Sequence, residues 1–228
     1  MKPTIYYIPG LGGDYRMFTK QQEQIPYPSK VVEWLEPDVP ETIAEYAYRL
    51  SQQIDTSKPF VLVGVSIGGV FSIELRRFLP VKPHTHIIIA SIKRASEKPP
   101  HVKALQKVPI FQTITPNSFR FFKLFSKQAI GLIYKKQHVE LFNSMVTSQS
   151  PIFLRWAMQQ LAAWKNDTYP LDLIHIHGTK DRIFPYKFIQ NPVTIVGGTH
   201  FMNMEWAEEI NRLIVAGIEG DLKGGIVR

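Results

Sequence analysis

Cysteine is absent from the 228 residues, which excludes a disulfide framework, a Cys-ligated zinc or iron–sulfur site and any thiol nucleophile. No apolar run approaches the roughly 18 residues that cross a bilayer. The start, Met1-Lys2-Pro3-Thr4-Ile5-Tyr6-Tyr7-Ile8, goes almost directly into a strand-like segment and lacks the apolar stretch and small-residue cleavage site of a signal peptide. Internal repeats and low-complexity tracts are also missing. An apolar content of 44% with 20% charged residues excludes a disordered tail, a collagen-like repeat and a coiled coil. The expectation is one cytoplasmic domain over residues 1–228, with no stable membrane insertion.

What is present is a lopsided charge. The formal net charge is +8, but residues 92–165 hold nine Lys and three Arg against Glu97 and Glu140, a local balance of +10, and the remainder of the chain stands at −2. A field concentrated in one third of the chain can steer an anionic partner, whereas scattered charge mainly keeps a protein soluble.

Periodicity alternates along the chain. Thr4–Ile8, Val31–Leu35, Phe60–Val65, His86–Ala90, Leu173–His177 and Val193–Val196 are short runs rich in β-branched and aromatic residues, as buried strands are. Between them, Glu41–Ile54 follows Pro40 and aligns Ile43, Ala47, Leu50 and Ile54 on one helical face. Gly68–Leu79 aligns Val70, Ile73 and Phe78 before Pro80 stops it. A last helix over about 203–219 aligns Trp206, Ile210, Leu213 and Ile214. This order predicts an α/β fold with a mostly parallel six-stranded sheet and helices on both faces.

The stretch 92–165 interrupts the alternation with helical spacing and no convincing strand, and reads as an insertion. Ser150-Pro151 suits the N-cap and first turn of a helix to Lys165, with Phe153, Ala157, Leu161 and Trp164 on one side. Asn117–Gln128 carries more apolar residues, Phe119, Phe121, Phe122, Leu124 and Phe125, than a surface helix needs.

Three loops, each following a strand, carry the chemistry. Gly64-Val65-Ser66-Ile67-Gly68 stands between a strand and a helix, the setting of a nucleophile elbow, where flanking glycines permit a tight turn and the helix N-terminus favours a developing oxyanion. Gly178-Thr179-Lys180-Asp181 places a carboxylate after the fifth strand. Gly197-Gly198-Thr199-His200 places, after the sixth, the only one of seven histidines in a glycine-flanked loop that follows a strand. A serine hydroxyl needs a histidine to take its proton, and that histidine needs a carboxylate to hold its tautomer.

In the order Ser66, Asp181, His200, the chain resembles the α/β-hydrolase family of serine hydrolases, over nearly its whole length from the loop Pro9-Gly10-Leu11-Gly12-Gly13 onward. The resemblance implies Ser66 as nucleophile, Asp181 as acid and His200 as base, with the backbone N–H groups of Leu11 and Ile67 forming an oxyanion hole. It also implies that 92–165 is a helical lid. The chain departs from the family in having Pro9 where many relatives carry a histidine, in lacking a leading β-hairpin, and in leaving only residues 179–192 between the last two strands.

The implied activity is hydrolysis of a carboxylic ester or thioester through an acyl-enzyme, with no cofactor and no metal. The same residues could serve a carbon–carbon hydrolase or lyase, or survive in a silent binding protein. Gly10 and Gly12 of the first loop, with Phe122, Phe125 and Trp156 of the insertion, are expected to touch a small acyl substrate, and further insertion aromatics such as Phe142, Phe153 and Trp164 can wall an apolar pocket. The insertion's cations either face solvent or receive an anionic group of that substrate. A competing constellation is His175-Ile176-His177 with Asp181 as a metal site, since residues two apart share a strand face. A P-loop and a dinucleotide fingerprint are absent, and no nucleic-acid motif accompanies the basic stretch.

Overall fold

A computed structural model describes residues 1–38, 40–104, 136–222 and 226–227, with the backbone alone for 136–139 and 226–227. Among the described residues, seven strands form one sheet: β1 (Thr4–Ile8), β2 (Ser29–Val31), β3 (Phe60–Val65), β4 (Thr85–Ile89), β5 (Leu173–Gly178), β6 (Val193–Ile195) and β7 (Ile226–Val227). Their order is β2-β1-β3-β4-β5-β6-β7 and every pairing is parallel. Six were expected. The seventh is a two-residue edge next to Gly224 and Gly225, too short to leave a period in the sequence.

Side chains alternate across the sheet, so each central strand feeds two cores. Tyr6, Ile8 and Leu62 pack on one face with Tyr46, Leu50, Phe71, Phe153 and Trp156. Ile5, Tyr7, Val61 and Val63 pack on the other with Phe18, Ile210, Leu213 and Ile214. Because both faces are covered, β3 and β4 are buried throughout, which is why they read as continuous apolar runs.

Local chemistry moved several boundaries. The helix expected from Glu41 starts at Ile43, because the Thr42 hydroxyl accepts the Glu45 N–H and the Glu45 carboxylate accepts the Thr42 N–H, a reciprocal cap. The second strand lies at Ser29–Val31 instead of Val31–Leu35. Beyond it the Tyr46 hydroxyl takes both the N–H and the C=O of Leu35, and Trp34 packs on Phe71 and Phe153, so this stretch is fixed by side chains and not by a ladder. Phe78 lies past the end of helix Ile67–Arg76, exposed, edge-on to Tyr48. The last helix is broken at Trp206, whose backbone leaves helical geometry between Met202–Glu205 and Ala207–Glu219. Its ring is exposed and outside the core.

Within 92–165 the described elements are helical: a turn at Ala95–Glu97, then Pro100–Ala104, Lys136–Ser148 and Pro151–Ala163. Ser150 caps the last of these, accepting from the Ile152 and Phe153 N–H groups. The expected helix at 117–128 lies outside the described residues. Lys98 reaches across to the Ala162 and Trp164 carbonyls at 2.7 and 2.5 Å, where a cation complements a helix C-terminus. Arg16, paired with Asp14, reaches the Ser144 and Ser148 hydroxyls, tying helix Lys136–Ser148 to the segment after β1. Between β5 and β6 there is room for only the short turn Tyr186–Phe188. No described helix is long and apolar enough to cross a membrane.

Candidate active site

The C-terminal ends of β3, β5 and β6 converge, and each delivers one polar side chain. Ser66 follows β3 with φ 54° and ψ −125°, a conformation that costs a non-glycine residue on the order of 1–3 kcal/mol. Its surroundings impose it. The Ser66 N–H donates to Ile89 O at 3.0 Å, while the Ser66 carbonyl accepts from the Gly69 N–H at 2.9 Å and the Ser91 hydroxyl at 2.6 Å. The flanking glycines have a steric reason. A Cβ on Gly64 would sit 2.5 Å from Gly68 O, and one on Gly68 would sit 2.2 Å from Pro9 O.

His200 stands over Ser66, with Nε2 2.9 Å from the hydroxyl and Nδ1 2.8 Å from Asp181 Oδ2. Its side chain is 12% exposed, whereas that of Asp181 is fully enclosed. The other carboxylate oxygen, Asp181 Oδ1, accepts the Ile183 and Phe184 N–H groups, each at 2.8 Å. Burial alone would push the Asp181 carboxyl up. Opposing it are the charge and hydrogen bond of His200, the His177 ring and the Phe184 N–H, and together they hold it below the usual carboxylate range. An ionised carboxylate only accepts, so His200 carries its proton on Nδ1 and leaves Nε2 as the acceptor for the Ser66 O–H. The two loops are also clamped to each other, Lys180 N–H donating to Gly198 O at 2.9 Å and Gly197 N–H to the Thr179 hydroxyl at 2.8 Å.

The Leu11 and Ile67 N–H groups find no hydrogen-bond partner among the described residues. Ile67 opens helix Ile67–Arg76, so its N–H is one of the helix's unpaired donors.

A cavity of about 280 Å³ opens on Ser66 and His200. Its sheet side includes Gly10, Leu11, Ile183, Phe184 and Met204, and the insertion supplies Val102, Phe142, Val146, Leu154, Met158 and Leu161. No Lys, Arg, Asp or Glu lines it among the described residues.

Of the residues expected to touch substrate, Gly10 lines this cavity and two others do not, while Phe142, one of the aromatics expected to wall a pocket, also lines it. Gly12 has φ 71° and lies against Val146, so that a Cβ there would approach the Val146 side chain to 2.5 Å. Trp156 is core, its ring against Tyr46 and Phe71 and its Nε1–H donating to Glu41 O at 3.0 Å. Phe153 and Trp164 are likewise core. Phe122 and Phe125 lie outside the described residues.

The insertion's cations also divide. Lys103 and Lys165 are exposed, but Lys93 and Lys98 are buried, Lys93 on Gln190 O and Lys98 on the helix end already described. Neither reading of the sequence foresaw a buried structural lysine.

The histidines of β5 form no metal centre with Asp181. His177 lies 3.6 Å from Asp181 Oδ2 but donates Nε2–H to Phe184 O at 2.8 Å, and Asp181 is engaged by His200. No group of three His, Asp or Glu side chains that could hold a metal ion occurs among the described residues.

Two sets of site residues escaped the sequence reading although each left a signal. Asp181-x-Ile183 is the pattern of a carboxylate that caps backbone N–H groups two and three residues on. Leu154 and Met158, four apart, form a helical stripe beside the one that was read, which already held Leu161.

No family model matches the sequence, and no curated protein matches it. Solved structures match nearly all of it. A thermophilic esterase from Thermogutta terrifontis, with malate bound, superposes with a TM-score of 0.71 at 16% identity, covering 97% of this chain and 91% of that one. An esterase from Exiguobacterium antarcticum gives 0.72 at 15% identity, covering 95% and 92%. YbtT, the type II thioesterase of the yersiniabactin NRPS/PKS pathway, gives 0.57 at 16%, covering 97% and 95%. Identities this low speak for architecture, and on that ground the chain has the α/β-hydrolase fold.

Proposed function

We propose that this protein is a serine hydrolase that cleaves a carboxylic ester or thioester through an acyl-enzyme on Ser66. The observation that carries the reading is the continuous chain from Ser66 Oγ to His200 at 2.9 Å and from His200 to a buried Asp181 at 2.8 Å, at the mouth of an apolar cavity. His200 takes the hydroxyl proton as Ser66 attacks the carbonyl carbon, and Asp181 stabilises the imidazolium without taking the proton. The Leu11 and Ile67 N–H groups receive the oxyanion. His200 then protonates the leaving alcohol or thiol, and in the second half it takes a proton from the water that attacks the acyl-enzyme.

The acyl portion is apolar and uncharged. Among the described residues the cavity holds no counter-charge, and an unpaired charge there would cost several kcal/mol. A cavity of about 150 Å³ holds benzene, so about 280 Å³ takes an acyl chain of about ten carbons. The residues 92–104 and 136–165 act as the lid that shapes this space. The esterase and thioesterase named above share the architecture, which supports hydrolysis over other chemistries of the same residues.

The test is a panel of esters and thioesters varying in acyl length and charge, run with wild type and Ser66→Ala. Wild type turns over neutral medium-chain substrates, and the variant is inactive. A carboxylate-bearing acyl chain preferred over a neutral one contradicts the substrate assignment, and equal activity in Ser66→Ala contradicts the mechanism.

A further inference from the structure

His175 and His177 lie two residues apart on β5, both rings buried and edge to face with centroids 5.3 Å apart. Each uses one nitrogen in the same way. His175 Nε2–H donates to Ser91 O at 3.1 Å, and the Ser91 hydroxyl donates to Ser66 O at 2.6 Å. His177 Nε2–H donates to Phe184 O at 2.8 Å, and the Phe184 N–H donates to Asp181 Oδ1 at 2.8 Å. A carbonyl oxygen can only accept, so both rings carry the proton on Nε2. Burial pushes both rings toward the neutral form, His175 the further.

Packing alone does not account for the pair. Both Nδ1 atoms are buried with no partner among the described residues, a cost that an apolar residue at either position would avoid. Each ring is one residue removed from a reacting group, His175 on the nucleophile's side and His177 on the acid's.

We propose that His175 and His177 are positioning residues, His175 holding the Ser66 carbonyl through Ser91 and His177 holding the Asp181 turn through the Phe184 carbonyl. The inference rests on the proposed roles of Ser66 and Asp181. Ser66 sits in a strained conformation and Asp181 must meet one face of His200, so the same strand sets the spacing of the two ends of the hydrogen-bonded chain. Displacing either end by about 1 Å is expected to cost on the order of a hundredfold in rate.

The test compares His175→Leu, His177→Leu, His177→Gln and Ser91→Ala with wild type, reading kcat, KM, the rate of Ser66 labelling by a fluorophosphonate, and the thermal midpoint. His175→Leu, His177→Leu and Ser91→Ala should each lower kcat and the labelling rate about ten- to a hundredfold, with KM within about twofold. His177→Gln, whose amide can donate to the Phe184 carbonyl, should recover most of the loss. Folded Leu and Ala variants that label and turn over like wild type overturn the proposal, as does an equal loss in the two His177 variants. If His177→Leu does not fold, the His175 arm decides: His175→Leu cuts the link from His175 to the Ser91 carbonyl and Ser91→Ala the link from Ser91 to Ser66, and wild-type kcat and labelling in either folded variant overturn the proposal. A wild-type protein that is not labelled at Ser66 overturns the functional reading and this one with it, whereas labelled wild type with unaffected variants overturns this one alone.

Discussion

One wall of the cavity is made of loops at the ends of parallel strands, and the other is made of helices from the insertion. On the first, Ser66, Asp181 and His200 are each held by at least one backbone or side-chain hydrogen bond beyond those among themselves or by a clamped loop. On the second, Val102, Phe142, Val146, Leu154, Met158 and Leu161 offer only apolar surface, and His101 turns its Nε2 to Ile183 O. Hydrogen bonds are directional, so the first wall fixes geometry. Apolar contact depends on volume, so the second fixes what fits. Chemistry and selection are therefore separable by mutation.

The largest separation comes from Ser66→Ala. Removing a nucleophile from such a unit costs on the order of a millionfold in kcat, and the cavity should still bind an apolar ester or its product with an affinity close to wild type. A variant that loses binding as well as turnover would mean that the two walls are not independent. Asp181→Asn keeps the shape but presents the wrong hydrogen-bonding partner to His200, and kcat should fall about ten-thousandfold with little change in KM.

Next comes pH. His86 is pushed down to about 3, first by burial and further by Arg76, and His175 and His177 are also lowered, mainly by burial. As pH falls below about 6.5 the unfolded chain takes up these protons before the folded one does. Stability is therefore full above that pH and declines below it, by up to about 1.4 kcal/mol per pH unit for each histidine. Urea midpoints should be level from pH 7.5 to about 6.5 and fall steadily from there to pH 4, and a flat profile over the whole range would contradict neutral burial. The smallest effect belongs to the insertion wall. Met158→Phe narrows the cavity and should shift preference to shorter acyl chains by about tenfold in kcat/KM, at nearly constant kcat for a short ester.

The same division governs what could be read in the sequence. Strands buried on both faces read as continuous apolar runs, so β3 and the loops after β3, β5 and β6, which bring Ser66, Asp181 and His200 together, could be placed within a residue or two. Contacts made by tertiary packing leave no such mark. Nothing local says that Tyr46 would take over the backbone of Leu35 or that the chain would turn out of the helix at Trp206, whereas Thr42-Ile43-Ala44-Glu45 is a local capping signature that was passed over. Trp156 and Gly12 were misassigned to the substrate for a related reason. An aromatic on an amphipathic helix and a glycine near a reacting loop look alike whether they face a ligand or a neighbour, and here Tyr46 and Val146 are the neighbours. Charge misled in the same way: Lys93 and Lys98 contribute to a basic stretch in the sequence, yet in the fold they satisfy carbonyls.

The central claim is that the hydrogen-bonded order makes Ser66 a nucleophile. Its most direct test is to expose folded protein to a fluorophosphonate and map the adduct by tandem mass spectrometry. One adduct on Ser66, abolished in Ser66→Ala and suppressed when the protein is unfolded in urea, is the predicted result. An absent adduct, or one on another residue, in protein that still hydrolyses esters would contradict it.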